Sequence, residues 1–191
     1  PGKGGYGVVM MSGSYRKEIS GGFELTTNNR MELLSVIVGL EHLKKPNTFV
    51  TIYSDSKYVV DAIEKKWLFS WEKKNFSKKK NPDLWIRFLK IYRKHQVSFV
   101  WVKGHSNIKE NERCDQLAVK AAESKKLEKD EKFSEDDLIS NVSDGLPNYF
   151  SDSNLYSESL CAAARSELRL PIVSIRPFTF CGPYQSIDSP W

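Results

Sequence analysis

The sequence predicts an α/β layered sheet. Short runs rich in β-branched and aromatic residues alternate with longer runs of helical spacing, in the order β β α β α α β α. Apolar residues make up 40% of the 191-residue chain, enough for a core of its own. No run approaches the roughly eighteen apolar residues of a membrane span, so no membrane partner is expected.

The elements follow in order. "YGVVMM" reads as a strand, and Gly13-Ser14 as a turn. "RKEISGGFEL" reads as a second, irregular strand whose glycine pair suggests a bulge. From Met31 to Leu43 the residues Leu33, Val36, Ile37, Leu40 and Leu43 keep helical spacing, and Pro46 ends the helix. "FVTIY" is a short strand. A helix is expected from about Ser56 to Trp67, then a basic loop "WEKKNFSKKKNP". "DLWIRFLKIYRKH" is a helix, "VSFVWV" a strand, "KGHSNIKE" a loop and "NERCDQLAVKAAE" a closing helix.

Beyond residue 124 the composition changes. Residues 125–153 are charged and polar without a sustained period and read as a linker. Residues 154–191 form a tail of unknown role. In it "LYSESLCAAARSEL" suits one short helix, and "RLPIVSIRPFTF" suits a strand that Pro171 and Pro177 confine to an edge or to irregular structure.

Charge is split along the chain. Residues 1–123 carry a formal net charge of +9 and residues 124–191 one of −4, together the +5 of the whole. A basic body suggests a polyanionic partner, most simply nucleic acid; lysine-rich solubility explains the same number. The N-terminus shows no charged region followed by an apolar run, so no secretory leader is expected. Three scattered cysteines suit reduced thiols and a cytoplasmic setting.

Three acids stand out against this background. Glu32 follows Asn29 in an N-x-x-E pattern, which suits a helix-capping box. Asp55 follows a strand and precedes a helix, where an N-cap is equally natural. Asp115 lies early in the last helix, favoured there by the helix dipole. Each is explicable alone. Together they lie where strand ends and helix starts can converge, and the loop before Asp115 can bring His105 nearby. Converging acids repel unless cations bridge them, and oxygen-rich clusters suit Mg²⁺.

Four stretches, "PGKGGYG", "TTNNRMELLSVIVGLEHL", "TIYSDSKYVVDAI" and "WVKGHSNIKENERCDQLA", resemble ribonuclease H of the bacterial type 1 family in order and spacing. The resemblance runs from Pro1 to about Glu123 and sets a ribonuclease H domain at 1–124. It implies a ribonuclease H-like layered fold, a mixed sheet with helices on both faces. It implies endonucleolytic cleavage of the RNA strand of RNA–DNA hybrids with Mg²⁺ (Mn²⁺ possible) by a two-metal-ion route leaving 5′-phosphate products, in a monomer. Glu32, Asp55 and Asp115 match metal-binding carboxylates, and His105 the mobile-loop histidine. Thr27 matches a residue on a DNA phosphate, and Asn28 and Asn29 a pair that reads the minor groove. Lys57 stands where many members carry Gln. Lys73, Lys74, Lys78, Lys79 and Lys80 match a basic protrusion for phosphates. Trp67 and Trp85 suit a sugar contact or a core anchor, with Trp85 read as core.

One part of the pattern is missing. The family's fourth carboxylate lies on a first, central strand that would precede "PG". Two readings follow: an N-terminally incomplete domain, or a vacant strand position filled by the C-terminal apolar segment. Two functions follow with them, an active hybrid-specific nuclease or a hybrid-binding domain with an impaired metal site.

Overall fold

The computed structural model of the chain describes residues 2–103, 108–133 and 173–181. Its first elements are β1 (Gly2–Ser12) and β2 (Tyr15–Thr26), an antiparallel hairpin closed by Gly13-Ser14. Gly13 has φ +57, the left-handed value that a two-residue hairpin turn requires. The glycine pair of β2 does not make the expected bulge. Gly21 and Gly22 are regularly paired with Tyr6 and Gly5, and the register shift falls between Gly2 and Gly4. Those glycines serve close approach instead. A Cβ on Gly22 would lie 2.1 Å from the carbonyl oxygen of Ala121.

Next come α1 (Asn28–Glu41), β3 (Phe49–Ser54), α2 (Lys57–Glu64), α3 (Trp67–Lys73), α4 (Pro82–Tyr92), β4 (Gln96–Trp101), α5 (Lys109–Ala122) and β5 (Val173–Cys181). Helix α1 is apolar on nearly every side, with Met31, Leu33, Leu34, Val36, Ile37, Val38 and Leu40 buried. It is therefore a central helix, packed on the sheet and on α4. The helix expected from Ser56 to Trp67 is two helices. Lys66 takes a left-handed conformation (φ 58) and breaks it, and α3 extends into the expected basic loop. Trp85 is fully buried, confirming the core reading. Its indole donates to the Tyr58 hydroxyl at 2.9 Å.

The five strands form one sheet in the order β2-β1-β5-β3-β4. The central position is thus held by the C-terminal segment. It runs antiparallel to β1, from Gly4 opposite Cys181 to Met11 opposite Ser174, and parallel to β3, from Val50 opposite Val173 to Ile52 opposite Ile175. Without a strand there, β1 and β3 would face each other with ladders of unpaired backbone groups. A run of β-branched and aromatic residues supplies the pairing. The expectation that Pro177 keeps this segment at an edge is corrected. Pro177 lies two residues past the last pair with β3, where β5 has a ladder on one side only.

The sheet is covered on both faces. Tyr6, Val8 and Met10 of β1 join the main core with α1, while Gly5 and Gly7 point at the α5 backbone. A Cβ on Gly7 would lie 2.2 Å from the carbonyl oxygen of Cys114. The first residues of the expected linker pack on the sheet. Glu128 exchanges backbone hydrogen bonds with β2, its N–H to Gly22 and its carbonyl from Glu24. Residues 134–153 of that stretch, and the helix expected at 155–168, lie outside the described residues.

Candidate active site

Strand β3 ends at Ser54, and two residues carry the chain into α2. The turn is held from several sides. Ser56 N–H donates to Ser54 Oγ at 3.1 Å, Val102 N–H to the Ser54 carbonyl at 3.0 Å, and Trp101 Nε1 to the Asp55 carbonyl at 3.1 Å. The cap of α2 is Ser56, whose Oγ accepts from Val59 N–H, so the N-cap reading of Asp55 is corrected. Helix α1 is likewise capped by Thr27, accepting from Arg30 N–H, and not by Asn29. Glu32 then lies beyond the first turn, outside any capping box. Its carboxylate instead accepts from the Ser56 hydroxyl through Oε2.

Two of the three acids feel the third. Burial pushes the Glu32 carboxyl above the usual range and the charge of Asp55 adds to it, while the Ser56 hydrogen bond opposes both. Burial, then Asp55, then Glu112 push Asp115 up to about 7. Asp55 acts on both of the others, so one end of β3 gathers acids from α1 and α5. Among the described residues no three His, Cys, Asp or Glu stand close enough to grip an ion as a finished set. The donor chemistry nonetheless fits a hard divalent cation. All donors are oxygens, burial and the charge of Asp55 raise the proton affinity of Glu32 and Asp115, and the buried Asp115 Oδ1 has no hydrogen-bond partner among the described residues.

The remaining expected residues fall at varied distances from this centre. Thr27 and Asn28 are half-buried and Asn29 is exposed, at the start of α1. The Asn28 Oδ1 is buried without a partner among the described residues. Lys57 is exposed, with its ammonium 5.3 Å from the Trp101 ring centre. Lys73, Lys74, Lys78, Lys79 and Lys80 are all exposed in and after α3. Asn75, Phe76 and Lys78 there have positive φ, which turns this short segment tightly, and buried Phe76 anchors it. Trp67 is 42% exposed and faces Lys65 at 4.9 Å. His105 lies outside the described residues.

Sequence reasoning missed Ser56, Trp101 and Asn111. Ser56 precedes an apolar helix and had a legible cap signal; its bond to Glu32, 24 residues earlier, had none. Asn111 sits one helical turn before Asp115, buried, with Oδ1 unpaired among the described residues.

The family model described as RNase H matches residues 1–123. A "Ribonuclease H" of Trichodesmium erythraeum is 53% identical over 68% of this chain and 85% of its own length. One of Syntrophus aciditrophicus is 56% identical over 64% of this chain and 73% of its own. Among solved structures, LC9-RNase H1, "a type 1 RNase H with the type 2 active-site motif", aligns with a TM-score of 0.56 at 32% identity over 63% of each chain.

Proposed function

The chain belongs to the ribonuclease H family, and from that premise we propose that it hydrolyses the RNA strand of RNA–DNA hybrids endonucleolytically, leaving 5′-phosphate ends. The carrying observation is that the turn after β3 that holds Asp55 is hydrogen-bonded through Ser56 to Glu32 of α1, and that the charge of Asp55 is felt by both Glu32 and Asp115. These three would hold divalent ions, Mg²⁺ or Mn²⁺, whose chemistry in a two-metal route is activation of a water and stabilisation of the leaving oxygen.

The chain's own residues supply selection and grip. Asn28 and Asn29 place amide donors and acceptors beside the acids, the group type that reads a 2′-hydroxyl at close range. Thr27 and the lysines of the 73–80 segment bind backbone phosphates, which set affinity and position without reading sequence. Trp67 packs against a sugar. Lys57 faces the same substrate. His105 serves the attacking water or the departure of product. The protein acts as a monomer in the cytoplasm.

A specific observation favours a second reading, that of a hybrid-binding domain with an impaired centre. The strand beside β3, "VSIRPFTFC", carries no acid. Asp55 lies three residues past Ile52, and three past its partner Ile175 stands Phe178. The central strand therefore brings no fourth carboxylate level with Asp55. Replacing Asp55 by Asn separates the two readings. If the chain is a nuclease, cleavage in Mg²⁺ disappears while hybrid affinity stays within a few-fold. Near-normal turnover of Asp55→Asn would show that the site is elsewhere, and hybrid binding without any turnover of the unsubstituted chain would favour the second reading.

A further inference from the structure

Ser56 is buried, at 4% exposure, and its hydroxyl has a fixed orientation. The oxygen accepts from Val59 N–H at 3.2 Å as the cap of α2, and the hydrogen goes to Oε2 of Glu32. The serine backbone is anchored in turn, its N–H on the Oγ of fully buried Ser54 at the end of β3. On the other side, Ser35 Oγ donates to the Glu32 carbonyl at 2.6 Å and fixes that turn of α1. The Glu32 carboxylate is therefore tied by one oxygen to the same turn that carries Asp55. Its rotation is restricted, and the distance between two acids from separate elements is set by one hydroxyl.

From this arrangement we propose that Ser56 is a positioning residue: it holds Glu32 by Oε2 and so presents Oε1, beside Asp55, to a divalent cation. The proposal rests on the metal-binding reading above. It gives a cap residue a second task that helix capping does not require. An Asp or Asn would cap α2 as well as a serine does, but a carboxylate there would bring no proton for Glu32.

The test is Mg²⁺ titration calorimetry on the full chain carrying Ser56→Ala, Ser56→Thr or Ser56→Asp. Alanine removes the hydroxyl, threonine keeps it, and aspartate keeps only the cap acceptor. Affinity should fall at least about tenfold for alanine and aspartate and return to within about threefold for threonine, the range seen when an outer partner of a metal ligand is lost or kept. Unchanged affinity in Ser56→Ala, or recovery in Ser56→Asp, would overturn the proposal and leave the serine a helix cap. A second measurement uses no metal. Thermal melts of Ser56→Ala, Glu32→Ala and the double variant in chelator should be coupled, the double variant losing less than the two single losses combined. Additive losses would overturn the pairing. That holds even if the unsubstituted chain gave no Mg²⁺ heat, a result that would sink the metal-binding reading itself.

Discussion

Arg30 and Asp130 stand 100 residues apart in sequence and meet through two hydrogen bonds of 2.7 Å, Nε to Oδ2 and Nη2 to Oδ1. Arg30 is 3% exposed and is held on its other side by Asp83, at 3.0 and 2.9 Å. The Thr26 hydroxyl also donates to Asp130, and the Phe133 ring lies 5.7 Å from the guanidinium. The segment after α5 is thereby fastened to the start of α1, next to Thr27, Asn28 and Asn29.

Asp130→Ala should therefore destabilise the protein by about 3 kcal/mol, since it leaves a buried guanidinium half-paired. Denaturant melts of the two proteins measure this. A loss below about 0.5 kcal/mol would mean that the pair is worth no more than an exposed one.

Gly7→Ala tests the packing that sets Asp115. The added methyl would meet the α5 backbone at Cys114, which cannot yield as a flexible side chain can. The expected cost is about 2–3 kcal/mol, with hybrid cleavage reduced because α5 must shift. Unchanged stability and cleavage would show that α5 has room to spare.

The raised pKa of Asp115 gives a pH signature. Its folded value of about 7 lies above the ordinary 3.8, so the folded state holds the extra proton between the two. Stability without divalent ions should therefore fall as pH rises from about 4 to about 7, and Asp115→Asn should flatten that fall. Melts in chelator across this window decide it. A parallel decline in both proteins would assign the effect to other groups.

Much of this was legible in the sequence, for identifiable reasons. Strand β3 and helices α1, α4 and α5 carry their period locally, so they read correctly to within a few residues. What failed was non-local. The partners of Arg30 lie 53 and 100 residues away, and no period marks them. Lys66 is an ordinary helix former, and nothing beside it announces the left-handed break between α2 and α3. The glycines of β2 looked like a bulge because their reasons, the Tyr6 ring of β1 against Gly21 and the α5 backbone against Gly22, lie on other elements. The sequence leaves the C-terminal segment between two readings, and the one that fills the vacant central position holds; the edge reading came from the rule that a proline within a strand normally argues for an edge.

That strand has its own test. A chain ending at Phe133 would leave β1 and β3 without the partner between them, and it should show no cooperative melt. Adding a synthetic peptide of residues 173–181 should restore part of the transition. A normal melt of the shortened chain would mean that β5 is dispensable to the sheet.

Substrate choice carries the central claim. The chain should be incubated with Mg²⁺ and end-labelled RNA in three forms, paired with DNA, single-stranded and paired with RNA, and separately with the matching end-labelled DNA duplex. Cleavage is expected only in the RNA–DNA hybrid, in the RNA strand, with 5′-phosphate ends. The rate should be low, because β5 brings no acid to Asp55. Equal cutting of single-stranded RNA or of the DNA duplex would contradict the assignment of Asn28, Asn29 and the three acids to one hybrid-specific site.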